Sequence, residues 1–367
     1  MKKKNDSMKI KMRLLQKSAL TLLIPGLLAC GTENKTAMET EEEVEDRIQL
    51  VRKDAEKSVE IWIDGKHFTS YIYPGDMEKP VLYPIKTASG KLITRGFPLA
   101  NRPGERVDHP HHVGMWLNYG DVNGLDFWNN SSAIPEEKKE NYGTIIHQSI
   151  ESVENGNDSG ELEVTADWVN HEGKVLLKEK TKYVFQGQEN KRIIDRITTL
   201  TAEEEEVNFT DNKEGMIAIR MARELEHPSD KPEKFTDAQG NPTDVPSMNN
   251  EGVTGKYLSS EGIEGDDVWG TRGKWMNLAG TIEGEDVSVA ILDHPDNIGY
   301  PTYWHARGYG LYAANPLGQK AMSEGKEELN HKLAPGESMT FKYRVVVTNG
   351  EKVNEDLLNQ EFQSFSN

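Results

Sequence analysis

The feature that most constrains this chain is an alternation of apolar and polar residues with a period of two, which starts at Ser58. The run SVEIWIDGKHFTSYIY, residues 58–73, is typical of a strand, an Asp-Gly turn and a second strand. No long helical pattern interrupts the later runs, and strands without intervening helices favour antiparallel sheets over a parallel α/β fold. We therefore predict an all-β fold, a large antiparallel β-sandwich, over residues 58–350. Further runs of this kind are ELEVTADWV, TKYVFQGQENKRIIDRITTLTA, VSVAILDH and MTFKYRVVVTNG.

The N-terminal residues differ from the rest of the chain. Seven basic residues precede an apolar stretch, residues 18–30, that is shorter than a membrane span. Residues 1–29 are therefore typical of a secretory signal. Cys30, the only cysteine, follows Leu-Leu-Ala as in a bacterial lipobox. We expect an exported protein that is lipid-anchored at Cys30, in the periplasm or at the outer membrane or cell surface.

Two further segments flank the predicted sandwich. Residues 30–57 are acidic and predict a solvated tether, in which the spacing of Val44, Ile48, Val51 and Ala55 allows a short helix. Residues 351–367 are assigned as a C-terminal tail. Within the sandwich, residues 225–265 are rich in Pro, Gly, Asn and Asp, which predicts one long irregular insertion.

Net charge excludes one class of partner. Residues 1–29 hold seven of the 43 basic and one of the 61 acidic residues, so the remainder carries a net charge of about −24. A strongly acidic chain repels phosphate backbones, and we expect no nucleic-acid partner. Contact with a membrane is expected only through the lipid anchor.

The stretch DHPHH, residues 108–112, holds three of the ten histidines. Pro110 has no amide hydrogen and biases His109 towards an extended conformation, so the stretch belongs on a rim or in a loop. In a regular strand His109 and His111 would share a face and form a two-histidine chelate. In a polyproline-like backbone Asp108 would pair with His111, and His109 with His112. The pairing of a carboxylate with a histidine would orient the imidazole for proton transfer.

Three further stretches combine ionisable side chains with aromatic and turn residues: 209–224, 266–280 and 292–316. Aromatic faces beside charged hydrogen-bonding groups suit a carbohydrate, which has apolar ring faces and a rim of hydroxyls. Together with DHPHH, these stretches give a predicted site on several strand ends. The predicted catalytic residues are His111, His112, Glu214 and His305, and the predicted substrate-binding residues are Asp108, His109, Asp211, Arg220, Trp269, Arg272, His294, Trp304 and Arg307.

The residue types favour an enzyme that hydrolyses, eliminates from or epimerises a sugar or oligosaccharide. Histidine supplies an acid near neutral pH, a carboxylate such as Glu214 supplies a base, and arginine neutralises an enolate or binds a carboxylated sugar. No cofactor is predicted in this interpretation. Two alternatives stay open. One is a zinc or copper protein with His109, His111 and His305 as ligands, and the other is a glycan-binding lipoprotein without catalytic activity.

The chain resembles a bacterial family, frequent in Bacteroidetes, that is called the PmoA family or methane oxygenase PmoA-like proteins. The resemblance rests on RPGERVDHPHHVGMWLNYGDVNGLDFWN, DNKEGMIAIRM, WGTRGKWMNLAG and DHPDNIGYPTYWHARGYGLYAANP, in this order. A genuine methane monooxygenase subunit spans the membrane several times, and no apolar run after residue 29 approaches the roughly 20 residues of a span, so that activity is excluded. The resemblance instead implies a β-sandwich similar to the galactose mutarotase-like supersandwich and a role in carbohydrate metabolism.

Overall fold

The computed structural model describes residues 46–245 and 249–367, and this part of the chain consists mainly of β-strands joined by turns. The predicted signal, Cys30 and most of the predicted tether lie outside the described residues. The strands are, in chain order, β1 (Ile48–Lys53), β2 (Ser58–Ile63), β3 (Lys66–Ile72), β4 (Val81–Leu82), β5 (Met115–Leu117), β6 (Thr144–Glu154), β7 (Gly160–Val169), β8 (Val175–Gly187), β9 (Lys191–Ala202), β10 (Val207–Phe209), β11 (Ile217–Arg220), β12 (Glu233–Thr236), β13 (Pro242–Val245), β14 (Lys256–Ser259), β15 (Trp275–Ile282), β16 (Glu285–Leu292), β17 (Tyr303–Arg307), β18 (Leu311–Asn315), β19 (His331–Leu333) and β20 (Ser338–Asn349).

Two eight-stranded antiparallel sheets form the body of the protein. The front sheet has the strand order β1-β2-β3-β4-β5-β11-β18-β17, and the back sheet has the order β14-β15-β16-β20-β9-β8-β7-β6. The strand pairs β10–β19 and β12–β13 form two small additional sheets. This arrangement confirms the predicted large antiparallel β-sandwich.

One apolar core joins the two large sheets. Ile217 and Tyr312 of the front sheet and Ile194 and Val345 of the back sheet belong to it, and each is almost completely buried. Because side chains alternate along a strand, the residues next to them point to the opposite face. On the front sheet this opposite face, here called the outer face, collects the polar residues described in the next section.

The first edge strand corrects the predicted tether. Residues 48–53 form β1, which pairs with β2 from Ile48↔Ile63 to Lys53↔Ser58, where the spacing had allowed a short helix. Ile48 and Leu50, two residues apart, are buried in the core, and this pairing outweighs the weak helical spacing. The predicted Asp64–Gly65 turn joins β2 to β3, with positive φ angles of 52° and 70° at its two residues.

The C-terminal segment is a helix rather than a tail. The described residues contain the short helix α1 (Gln319–Met322) and the longer α2 (Glu355–Ser366), whose first turn is capped by the Asn354 side chain accepting from the amide of Leu357. Leu358 of α2 packs with Trp275 and neighbouring apolar residues of the back sheet. Among residues 46–245 and 249–367, no helix has the length and apolarity needed to cross a membrane.

The predicted irregular insertion, residues 225–265, is only partly irregular. Its described residues include β12, β13 and β14, and β12 and β13 pair as a hairpin from Glu233↔Val245 to Thr236↔Pro242. The turn between them uses Gly240, whose φ angle is +82°. The abundance of Gly, Pro and Asp there reflects tight turns between short strands.

Candidate functional site

The candidate site lies on the outer face of the front sheet, where β5, β11, β18 and β17 are neighbours. One row of side chains crosses these four strands, because Trp116 pairs with Ala218, Ala218 with Ala313, and Ala313 with His305. The two alanines leave room above the middle strands. Trp128 belongs to the same small apolar cluster, with its ring centroid 5.3 Å from that of Trp116 and 6.1 Å from that of His305.

The stretch DHPHH forms a tight turn on this face. The amide of His112 donates to the carbonyl of His109 (3.0 Å), and His109 has a positive φ angle of 43°. Arg95 holds the turn by donating from Nη2 to the carbonyls of His109 (2.9 Å) and His112 (3.1 Å). Gly114 follows with a φ angle of +56°, and a Cβ there would lie 2.3 Å from the carbonyl oxygen of Leu82.

Neither backbone geometry considered for DHPHH is correct in full. His109 does stack on His112, with ring centroids 4.8 Å apart, as a period of three would give. Asp108, however, accepts from Nδ1 of His109 (2.5 Å) rather than pairing with His111. The left-handed conformation of His109 explains the difference, because it ends any regular repeat at that residue.

Asp108 is the centre of a buried ion network. Its Oδ1 accepts from Nη1 of Arg95 (2.6 Å) and from Nη2 of Arg220 (2.6 Å), and both guanidinium groups are almost fully buried. Burial by itself would raise the pKa of Asp108, but the hydrogen bond from His109 and the charges of Arg220 and Arg95 hold it well below its ordinary value. Asp108 therefore stays ionised and fixes the position of His109.

The histidines at positions 111 and 112 are buried and neutral. Burial is the largest cause of the low pKa of each, and it lowers the pKa of His111 to about 2 and that of His112 well below its ordinary value. Arg220 donates from Nη1 to Nδ1 of His112 (3.0 Å), and arginine is only a donor, so the proton of His112 is on Nε2. These two side chains have little exposed surface, whereas 42% of the His109 side chain is exposed.

A second carboxylate–histidine pair lies at the other end of the row. Oε2 of Glu214, just before β11, is 3.4 Å from Nδ1 of His305 in β17, without hydrogen-bond geometry. Burial, with the nearby charges of Lys213 and Arg307, lowers the pKa of His305 to about 3. Glu214 also accepts from Lys213, and 15% of its side chain is exposed, so its carboxylate is the part of this pair that a ligand can reach.

Tyr309 lies close to both pairs. Its ring is parallel to that of His109, with centroids 5.3 Å apart, and the guanidinium of Arg220 is 4.9 Å from its centroid. Burial raises the pKa of Tyr309 to about 12, and both Glu214 and Asp108 contribute to the increase. The phenol is therefore a neutral donor that both carboxylates influence.

Arg307 supplies a cation beside Tyr309. It follows His305 by two residues on the same face of β17, and its guanidinium is 4.5 Å from the ring centroid of Trp269. Within residues 46–245 and 249–367, no hydrogen bond or ion pair of the Arg307 side chain is present beyond this contact with Trp269. An arginine in this state is free to bind an anionic or hydroxyl oxygen of a ligand.

Asp211 and His294, both predicted to bind substrate, are structural. Asp211 accepts from the backbone amides of Lys320, Leu329 and Asn330, at 2.8 to 2.9 Å, and so joins three segments of loop. His294 packs edge-on against the ring of Phe365 in α2. A His-Pro corner that anchors a helix accounts for His294. These contacts give both residues a structural role, and the predicted role of each in binding stays a prediction.

Arg272 and Trp304 also serve the fold. Arg272 donates from Nη1 to the carbonyls of Gly299 (3.1 Å) and Pro301 (2.8 Å), and its Nη2 binds Glu327. Trp304 is completely buried in the main core, on the opposite face of β17 from His305. The alternation along β17 separates Trp304 from His305, because adjacent residues of a strand point to opposite faces. The predicted role of Arg272 and Trp304 in binding stays a prediction.

The predicted metal ligands do not form a metal site in this geometry. Among the described residues, no group of three His, Cys, Asp or Glu side chains is arranged to hold a metal ion. The rings of His109 and His111 meet edge to face with centroids 5.6 Å apart, and Nδ1 of His109 is bonded to Asp108. His305 packs beside Trp128 instead, with ring centroids 6.1 Å apart, and its Nδ1 is near Glu214. His109, His111 and His305 therefore do not form such a group among the described residues.

Several residues of the site were missed. Arg95 lies outside the polar stretches from which the site was predicted, and Trp128 lies at the end of one of them. The role of each depends on contacts with residues that are distant in sequence. Tyr309 lies inside the stretch 292–316 but was not distinguished from its aromatic neighbours. Lys79 donates to the carbonyl of His111 (2.8 Å), and burial lowers the pKa of this lysine to about 7.

A cavity of about 810 Å³ lies elsewhere on the molecule and contains none of the clustered histidines. Its lining includes Lys91, Arg102 and Phe235, and it borders Val245 and Asn249, which flank residues outside the described part. This cavity is large, but the acid–base groups are concentrated on the outer face of the front sheet. The outer face is therefore the better candidate for a catalytic site.

Comparisons with known proteins give a family and distant similarities of fold. The family model described as "Family of unknown function (DUF6807)" matches residues 58–363. No curated protein matches this chain. The matching family model carries a different description from the PmoA family that the motifs resemble, so that resemblance stays a prediction.

Three solved structures illustrate the distant similarities. A GH36 α-galactosidase from Geobacillus stearothermophilus has 10% identity and a TM-score of 0.39, over 83% of this chain and 41% of that one. A galactose mutarotase-like protein from Clostridium acetobutylicum has 11% identity and a TM-score of 0.34, over 82% and 98%. A galactose 1-epimerase from Lactobacillus acidophilus has 11% identity and a TM-score of 0.35, over 84% and 100%. The chain thus spans about two fifths of the length of the α-galactosidase.

Proposed function

The chain belongs to DUF6807, a family of unknown function, and we propose that it acts on a carbohydrate by proton transfer at the outer-face site. The observation that carries this proposal is the pair of carboxylate–histidine units, Asp108–His109 and Glu214–His305, both close to Tyr309. One ligand-accessible member of each unit, His109 and Glu214, can exchange a proton with a bound molecule. Two such groups, one to remove a proton and one to return it, are what proton transfer requires.

A sugar suits the surfaces around these groups. The rings of Tyr309 and Trp269 offer aromatic faces, while His109 and Glu214 offer hydrogen-bonding atoms. The unpaired guanidinium of Arg307 adds a donor for a carboxylate or for an oxygen that becomes negative during the reaction. Apolar ring faces and a rim of hydroxyls match this combination.

Epimerisation or elimination fits the site better than hydrolysis with two carboxylates. A glycosidase of that kind uses one carboxyl group as acid and another as nucleophile or base. Asp108 is held between Arg95 and Arg220, whose charges keep it ionised and make it a poor nucleophile or proton donor. Glu214 is then the carboxylate available for chemistry, with His109 as its partner. Of the three reactions that the residue types allow, proton transfer at a sugar carbon is therefore preferred to hydrolysis.

A glycan-binding protein without catalytic activity is the second candidate. The almost complete burial of His112 and His305 favours it, because neither imidazole presents much surface to a ligand. In this case His109, Tyr309, Trp269 and Arg307 would bind a sugar without any proton transfer. Turnover distinguishes the two candidates.

The test is proton exchange followed by ¹H NMR. The protein is incubated in D₂O with a panel of neutral and acidic monosaccharides and glycosides, and carbon-bound protons are monitored for exchange or change of configuration. Glu214→Gln and His109→Gln should each reduce the rate by about 100-fold or more while binding persists. Glu206→Gln is the matched control, because Glu206 is also paired with a lysine but lies far from the site at an exposed position.

The possible results separate the candidates. Exchange that depends on Glu214 and His109 supports the enzyme. Binding without exchange, lost when Trp269 is replaced by alanine, supports the glycan-binding alternative. Absence of both binding and exchange across the panel contradicts a carbohydrate function.

We also propose that the protein is exported and lipid-anchored at Cys30, which lies outside the described residues. Metabolic labelling with an alkyne fatty acid should modify the protein in a bacterial host that processes lipoproteins. Labelling that persists in Cys30→Ser would contradict the anchor at this residue.

A further inference from the structure

A cavity of about 400 Å³ adjoins the DHPHH turn. Its wall includes Pro110 and His111 of the turn, Asn130 and Ser131 from the loop after Trp128, and Leu99. The ring of His111 contacts those of His109 and His112, so this one residue borders both the cavity and the candidate site. None of the residues assigned to proton transfer lines it.

Two residues of this wall, His111 and Asn130, each carry a buried polar atom that has no hydrogen-bond partner within the described part of the chain. These atoms are Nε2 of His111 and Oδ1 of Asn130, and both residues are at least nine-tenths buried. The orientation of the Asn130 amide is fixed, because its Nδ2 donates to the carbonyl of Gly143 (2.9 Å) and lies near Oγ1 of Thr144 (3.2 Å). Buried polar atoms are nearly always paired in folded proteins, and two unpaired ones directly behind a single cavity wall favour a ligand with hydroxyl groups there.

The cavity also has an apolar lip. Leu99, with 42% of its surface exposed, lines it, and the neighbouring cavity of about 560 Å³ is lined by Ile146, with 46% exposed. The two cavities share a wall formed by residues that include Met77 and Ser132. Of the large apolar side chains exposed among the described residues, only Leu357 lies away from these cavities. Exposed apolar side chains beside polar groups suit the face of a sugar ring.

The charges at this wall are of both signs. Asp76 and Glu78 line both cavities together with Lys79, whose amine donates to the carbonyl of His111. Lys57 and Lys139 line the neighbouring cavity, and the amine of Lys139 is 3.7 Å from Glu78. Opposite charges that offset one another give little attraction for a carboxylated or phosphorylated group. Neutral hydroxyls would find acceptors and donors.

We propose that this cavity is a subsite for a second, uncharged sugar residue, so that the ligand of the protein is a glycoside or oligosaccharide rather than a free monosaccharide. The subsite rests on the proposed carbohydrate function, since the first sugar lies between His109 and Glu214. His111 then contacts the second sugar and is not itself a group that transfers protons. No covalent step is assigned to the subsite.

Calorimetric titration with matched sugars tests the subsite. Methyl β-D-glucoside, methyl β-D-galactoside, cellobiose and lactose are compared on the full chain, because each disaccharide adds a neutral ring to a ring already in the set. The disaccharides should bind at least about tenfold more tightly than the methyl glycosides, which corresponds to one or two additional hydrogen bonds. Ser132→Trp, which fills the shared wall from an exposed position, should abolish this gain and leave methyl glycoside binding unchanged.

Two controls keep the result interpretable. Ala133→Trp places the same bulk on the adjacent exposed residue, which lines neither cavity, and should retain the gain. Leu99→Ala should weaken disaccharide binding about threefold to tenfold, whereas Leu357→Ala, at an equally exposed leucine on α2, should not. Equal affinity for methyl glycosides and disaccharides, or a gain that survives Ser132→Trp, overturns the subsite but leaves the proposed function in place. Failure of every sugar to bind overturns both.

Discussion

Replacement of His305 by glutamine tests whether the buried end of the site is held neutral. Burial lowers the pKa of His305 to about 3 in the folded protein, whereas an unfolded histidine has a pKa of about 6.5. Between these two values the unfolded chain binds one more proton than the folded chain, so His305 makes the protein less stable as the pH falls. Each pH unit within this window is worth about 1.4 kcal/mol, and the total between pH 7.5 and pH 4.5 is about 2–3 kcal/mol.

Urea unfolding followed by tryptophan fluorescence measures this effect at pH 7.5, 6.5, 5.5 and 4.5. The free energy of unfolding of the wild-type protein should fall more steeply with acid than that of His305→Gln, by about 2–3 kcal/mol over the range. His171→Gln, at an exposed position, is the control and should follow the wild type. Parallel curves for wild type and His305→Gln would refute a buried, neutral His305.

Three further outcomes follow from the same geometry. Asp108→Asn leaves the buried guanidinium groups of Arg95 and Arg220 without their shared carboxylate, and should lower the free energy of unfolding by about 3–5 kcal/mol in urea; a loss below about 1 kcal/mol would argue against the network. The wild type should gain about 2 kcal/mol in its free energy of unfolding between pH 7.5 and pH 9, because the folded pKa of Lys79 is about 7 whereas the unfolded lysine keeps its proton up to about pH 10.5. Lys79→Met should lack this gain, and identical pH profiles for the two proteins would contradict the reasoning. Arg307→Gln should reduce binding of glucuronate about tenfold more than binding of glucose in calorimetric titrations, since a charge-assisted hydrogen bond is lost; an unchanged ratio would exclude Arg307 as the anion contact.

The sandwich could be predicted because its strands are long and alternate clearly. From Ser58 onward the residues that face the core recur every second position, and local pattern and tertiary burial agree. The first strand was not predicted because Ile48 and Leu50 are buried only through pairing with β2, a contact that local spacing does not reveal. The C-terminal helix has few apolar residues, and its position depends on the outer face of the back sheet.

The candidate site was predicted in part for a similar reason. Glu214, His305 and Arg307 lie near the ends of paired strands, so an accumulation of polar residues at strand ends did locate them. Their division into exposed and buried groups could not be read from spacing. Trp304 and His305 are adjacent in sequence, yet one is in the core and the other on the outer face.

The geometry of the DHPHH turn depends on the backbone conformation of one residue, His109. Both geometries predicted for this stretch, a strand and a polyproline-like backbone, assumed a regular repeat of two or three residues. The left-handed His109 breaks the repeat, so that Asp108 orients the exposed His109 while His111 and His112 are buried. The arginine that enforces this turn, Arg95, comes from a segment with no distinctive motif.

A crystal structure of the protein with the tightest-binding sugar of the NMR panel would show whether the outer-face site binds the substrate. A sugar ring should lie beside Tyr309, with oxygen atoms within about 3 Å of Glu214 and of Nε2 of His109. A sugar bound in the cavity of about 810 Å³ near Arg102 and Phe235, without contact to Glu214 or His109, would contradict this prediction.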